Sequence, residues 1–177
     1  MSNKLELRMY GLVPYNISPI QQAIQFGHAV VEYGQKMKYL GEHKQSLNTQ
    51  YNDWADNWKT FIILNGGTTN HKTSLENGLP FGSLNNHLLT LSENDVELAH
   101  FSEPDLGDQL TAVVFIVDER VFNKKKYPDF GFDYDEINEC FVRNTNFGLK
   151  PDSAWKESIG GAKNVFLRDF LKNFRLA

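Results

Sequence analysis

The 177-residue chain is 41% hydrophobic and 23% charged, with 13 Phe, 7 Tyr and 3 Trp, enough for one well-packed core and too apolar for general disorder. Its net charge of −4 excludes a generally basic phosphate-binding protein, although one local patch suffices for a small nucleotide. The single cysteine, Cys140, excludes an intrachain disulfide and a thiolate zinc site.

"LELRMYGLVPY" (5–15) has the branched and aromatic content of a strand and ends at Pro14 and Asn16. Ser18 then Pro19 starts a helix, with a hydroxyl at the cap and proline where no amide hydrogen is needed. Along it Ile20, Ala23, Ile24, Gly27, Val30, Val31, Gly34 and Met37 recur at three- and four-residue spacing, which predicts the buried face. The polar stretch to Trp58 predicts a loop and a short helix. "WKTFIILNGG" (58–67) reads as a strand covered on both faces, being continuously apolar and stopped by two glycines. "TTNHKTSLENGLPFG" is loop-like, and Ser83 is placed to cap a helix through "LNNHLLTLSEN". "VELAHFSEPD" and "LTAVVFIVDERVF" give two more strands. The order strand, helix, strand, helix, strand, strand predicts an α/β fold, a single domain with a mixed sheet flanked by helices. Residues 1–122 form this domain. Residues 123–177, acidic and aromatic in "YPDFGFDYDEINEC", form a C-terminal helical extension packed on the domain or on a partner subunit. Its last helix sets Val165, Phe166, Phe170, Leu171 and Phe174 on one side.

Chemistry has two candidate places. On the first helix Gln21, Gln25, His28, Glu32 and Gln35 form a polar stripe at four- and three-residue spacing. His28 is the side chain there that exchanges a proton near neutral pH, and the plain alternative is a histidine at the edge of a buried face. In "FSEPDLGDQLTAVVF", Glu103 and Asp105 flank a proline just before the most apolar strand. Asp105 is suited to orienting a histidine or activating water, and Thr111 to offering a hydroxyl to substrate. The plain alternative is a hairpin turn. Weaker signals are the "LNGGTTN" turn as an anion cradle, "HKT" and "HFS" as paired histidine motifs, and Lys124–Lys126 as the one cationic cluster. No histidine spacing makes a metal pair on one helix turn, so no metal or cofactor is expected.

The combination of "QFGHA", carrying Gln25, His28 and Ala29, with "EPDLGDQLTA", carrying Asp105 and Thr111, resembles the type II peptidyl-tRNA hydrolase family over residues 5–122. More loosely, the chain looks like uncharacterised proteins of tailed phages. In the family this helix opens on a Gly-Lys pair; Ile20 and Gln21 stand there in this chain. The resemblance implies a peptidyl-tRNA hydrolase II-like fold and a hydrolase acting on an ester of tRNA or a related nucleotide substrate. His28, Asp105 and Thr111 would be catalytic, with Gln21, Gln25, Glu32 and Glu103 binding substrate. A counter-defence protein that cleaves or sequesters a small cyclic nucleotide is the first alternative. A non-enzymatic interaction protein on the same scaffold is the second. Expected partners are tRNA or a small nucleotide and a second copy in a homo-oligomer. With no secretion signal or membrane span in the sequence, a cytoplasmic location is expected.

Overall fold

The computed structural model describes residues 4–41, 45–69, 82–144 and 152–177, which fall into two compact units. The first, Leu7–Ile116 with Phe174–Ala177, holds a four-stranded sheet. Its elements are β1 (Leu7–Val13), α1 (Pro19–Gly41), α2 (Gln45–Asp53) running into a π-helical turn (Trp54–Trp58), β2 (Thr60–Asn65), α3 (Ser83–Glu93), β3 (Leu98–Glu103) and β4 (Gln109–Asp118). The last two residues of β4 belong to the other unit. The element order is the one the sequence predicts, and no helix among the described residues is long and apolar enough to cross a membrane.

The strand order is β2-β1-β4-β3, with β1 and β2 parallel and β3 and β4 antiparallel, so the sheet is mixed. A parallel pair needs a long crossover, and α1 and α2 supply it. Strand alternation gives β1 two faces. Met9 and Val13 join Ala112, Val114 and Ile116 of β4 against Phe26, Ala29, Tyr33 and Met37 of α1. On the other side a side chain at Gly66 would meet both Leu84 of α3 and Leu12 of β1. The sheet is thus flanked by helices on both faces.

The buried face of α1 differs from the expected one. Ile20, Ile24 and Val31 stand 74%, 49% and 62% exposed, while Gln25, Phe26, Ala29, Tyr33 and Met37 are buried. The helix is turned by roughly 100°, one residue's worth, from the face that small and branched residues predict. The aromatic rings decide it, because burying one contributes about 1.5–3 kcal/mol. Phe26 lies over β1 where a side chain at Gly11 would collide with its ring.

Two further expectations are corrected. The 58–67 segment is not covered on both faces: β2 is an edge strand, and Phe61 is 48% exposed. Its outer edge is taken by residues 175–177. Asn65 donates its N–H to the Arg175 carbonyl (2.9 Å) and Ala177 to the Ile63 carbonyl (3.1 Å), in an antiparallel bridge at Leu64 and Leu176. The doubly covered strand is β4, buried from Leu110 to Val117. Ser83 does not cap α3; Gly82 holds that position, and the Ser83 hydroxyl accepts from the Thr68 N–H at 2.8 Å.

The second unit comprises Met1–Glu6 and Val117–Asn173. Besides helices it contains a hairpin, β5 (Phe132–Asp135) with β6 (Cys140–Arg143), where the sequence predicts only a helical extension. The other elements are α4 (Glu119–Phe122), α5 (Asp152–Ser158) and α6 (Ala162–Leu171). The buried residues of α6 are Asn164, Leu167, Arg168 and Phe170, of which only Phe170 belongs to the expected apolar row. Val165 and Phe166 are half-buried, and Phe174 lies beyond the helix. Arg168 is buried because its guanidinium is fully engaged. It donates to the Arg120 carbonyl, to the Tyr127 carbonyl and to Asp129 (2.8 Å). Asn164 donates to Asp118 (3.1 Å) and to the Ile159 carbonyl (2.7 Å).

Candidate functional site

The start of α1 is a capping box of the Ser-x-x-Gln kind. The Gln21 N–H donates to the Ser18 hydroxyl (3.3 Å), and the Gln21 side-chain oxygen accepts from the Ser18 N–H (3.1 Å) and hydroxyl (3.0 Å). Gln21 therefore fixes the first turn. One turn later Gln25 faces the sheet and is 6% exposed.

What Gln25 meets is produced by an irregularity in β4. Phe101 pairs with Ala112 and Ser102 with Leu110, so Thr111 is an extra residue, a β-bulge. A bulge breaks the alternation of a strand and re-aims a side chain. Thr111, fully buried, directs its hydroxyl to the Gln25 side-chain oxygen at 2.7 Å, with the Phe101 carbonyl at 3.3 Å as its other acceptor. The Gln25 amide donates in turn to the Glu103 carboxylate at 2.5 Å. With its oxygen accepting and its nitrogen donating, the carboxamide orientation is set by the network. Bonds to an ionised carboxylate are the stronger kind.

Glu103 begins a 3-10 turn, Pro104–Leu106, and its other carboxylate oxygen accepts weakly from the Asp105 N–H at 3.4 Å. The turn closes through Gly107 in the left-handed region (φ 68°), whose N–H donates to the Pro104 carbonyl. This presents Asp105 on the surface. His28, also exposed, sets its ring edge-on to Phe101 with centroids 4.5 Å apart. The structure thus brings Gln25, Thr111 and Glu103 into one hydrogen-bonded chain. Asp105 is tied to it through its backbone, and His28, on α1, packs on Phe101 of β3.

Glu32 lies farther along α1, in an open cleft of about 450 Å³ with Lys36 and His100, bordered by Leu88 and Leu89 of α3. Desolvation holds the His100 imidazole below its usual value; Lys36 adds to this and Glu32 opposes it. Lys36 donates to the Leu98 carbonyl at 2.7 Å and pairs with Glu97 at 3.6 Å. It stands eight residues, about 12 Å, from His28 along the helix. The sequence reading misses this cleft and the Thr111 bulge. Glu32 and Lys36 on one helix face are a readable signal for the cleft, whereas a bulge leaves no periodic one.

The weaker motifs resolve into structure. In "LNGGTT" the Gly66 N–H donates to the Val13 carbonyl, the Gly67 N–H to the Asn65 side chain and the Thr68 N–H to Ser83, so these donors are committed within the fold. Of the paired histidine motifs, His71–Thr73 lies outside the described residues, and His100 and Ser102 are on β3. Lys124 pairs with Asp129 (2.9 Å), Lys126 with Glu119 (3.0 Å), and Lys125 lies 5.0 Å from the centre of the Tyr134 ring. Among the described residues no cluster of three His, Cys, Asp or Glu is placed to hold a metal ion.

Chemically, His28, Asp105 and half-buried Glu103 are the titratable side chains these two segments supply, and the buried Gln25 amide holds Glu103 in place. Those groups suit proton transfer to and from water. No model of a known protein family matches the chain, and no curated protein sequence matches it.

Proposed function

We propose that the chain is a hydrolase of the peptidyl-tRNA hydrolase II type, with that family's fold, acting on an ester of tRNA or a related nucleotide. The observation that carries this reading is the Thr111–Gln25–Glu103 chain. It joins the two sequence segments on which the family resemblance rests, through side chains 86 and 78 residues apart. In this reading His28 takes a proton from water as the hydroxide adds to the ester carbonyl carbon. The carbon–oxygen bond to the ribose then breaks, and the leaving ribose oxygen takes the proton back from His28. Asp105 stabilises the imidazolium. Thr111, with its hydroxyl committed to the network, is a positioning residue that holds Gln25, and Gln25 holds Glu103. Glu32, one helix turn along from His28, and the net charge of −4 favour a neutral carbonyl as the reacting group over a phosphoryl group, which negative charge would repel.

The test is release of tRNA from a peptidyl-tRNA mimic by purified protein. His28→Ala is expected to lower turnover by at least about a hundredfold. Because His28 is exposed, its stability should stay within about 0.5 kcal/mol of wild type. Absence of turnover by the wild-type protein ends this reading.

A further inference from the structure

The second unit contains a cavity of about 300 Å³ that the hydrolase reading leaves without a role. Its walls include Tyr127, Phe130, Phe132 and Trp155, with Asp129 and Asp133 among the polar groups. The rings are held in place. Trp155 donates its indole N–H to the Pro128 carbonyl at 3.0 Å and packs on Phe130, with centroids 5.6 Å apart. Cation–ring contacts already occur in this unit. The Lys126 amine stands 5.3 Å from the centre of the Tyr127 ring, and the Arg168 guanidinium 5.9 Å from that of Trp155. Arg168 is buried and is not among the residues that line the cavity.

Charge decides the class of ligand. Lys126 is matched by Glu119, and Asp129 by Lys124 and Arg168. Asp133 is exposed, and among the described residues no hydrogen bond or ion pair engages its carboxylate. The lining therefore brings aromatic residues together with Asp133, whose carboxylate has no counter-charge among the described residues. Rings attract cations through their negative faces, and a carboxylate at the rim adds to this. We propose that this cavity binds a small organic cation of the alkylammonium class. A phosphate-bearing ligand fits poorly, because each lysine at hand is already engaged.

The experiment is calorimetric titration of the full chain with choline, with 3,3-dimethylbutan-1-ol and with adenosine monophosphate. The alcohol has choline's shape without its charge. Choline should bind saturably and the alcohol roughly tenfold more weakly or not at all. Phe132→Ala and Asp133→Asn should each weaken choline binding about fivefold. Both side chains are exposed, so melting temperatures should stay at the wild-type value. Choline bound no more tightly than the alcohol overturns the proposal. So does choline affinity unchanged in both variants, or nucleotide binding without choline binding.

Discussion

In the sheet unit, Gln25 and Thr111 are buried neutral groups whose hydrogen bonds run outward to Glu103 and stop at a surface carrying His28 and Asp105. In the second unit, Arg168 and Asn164 are buried groups whose bonds end on Arg120, Tyr127, Asp118, Asp129 and Ile159. Each of these donors ends on an acceptor within the unit. Both arrangements satisfy the demand that buried polar groups be paired. In the second the carboxylates at the ends, Asp118 and Asp129, are held in ion pairs by Arg120, Lys124 and Arg168. A buried network that closes on itself holds a fold together, whereas one that opens at the surface can aim chemistry.

The comparison is broken most sharply at Arg168. Arg168→Ala strips the Arg120 and Tyr127 carbonyls of a donor, while half-exposed Asp129 keeps Lys124, and should cost about 2–4 kcal/mol. Urea unfolding followed at the indole resonance of Trp155 reads it, and a loss under about 1 kcal/mol would remove the contrast. Gln25→Ala should cost less, about 1–3 kcal/mol, because half-buried Glu103 can turn to water and Thr111 still has the Phe101 carbonyl. The same variant should lower hydrolytic turnover by releasing Glu103. Turnover equal to wild type would reduce the Gln25 link to packing.

The smallest effect expected is on pH dependence. Burial pushes the Asp118 carboxyl up, but hydrogen bonds from Arg120 and Asn164 and the Arg120 charge outweigh it and hold the group below its ordinary 3.8. A carboxyl lowered in the folded state adds stability above its unfolded value. That stability is lost as pH falls through 3.8 toward the folded value. Acid titration of unfolding should show the loss in wild type and a flatter profile in Asp118→Asn. Equal profiles would assign the acid sensitivity elsewhere.

Element order is legible because strand and helix periods differ and because Ser18–Pro19, Gly66–Gly67 and Pro104 punctuate them. The facing of α1 is not, because branched and small residues make a plausible stripe while Phe26 and Tyr33 fix the packing. A pattern of polarity weighs residues alike; a sheet with Gly11 at its centre selects the ring that fits. The candidate site is half legible. Gln25, His28, Glu103 and Thr111 stand out as residue types, but their connection rests on one extra residue in β4, visible only in the register with β3. Arg168 is illegible for a related reason. A charged residue on an amphipathic helix reads as solvated unless its acceptors, 39 to 48 residues away, are known.

The two borders of the sheet bear on aggregation. Bare strand edges recruit other chains, and proteins blunt them with short covering segments, lysines and bulges. Here β2 is paired by residues 175–177, and β3 has the Lys36 amine on the Leu98 carbonyl and lies beside the Thr111 bulge of β4. Self-association of this chain is thereby steered away from sheet-to-sheet extension, the route to fibrils, and toward contacts made by side chains alone.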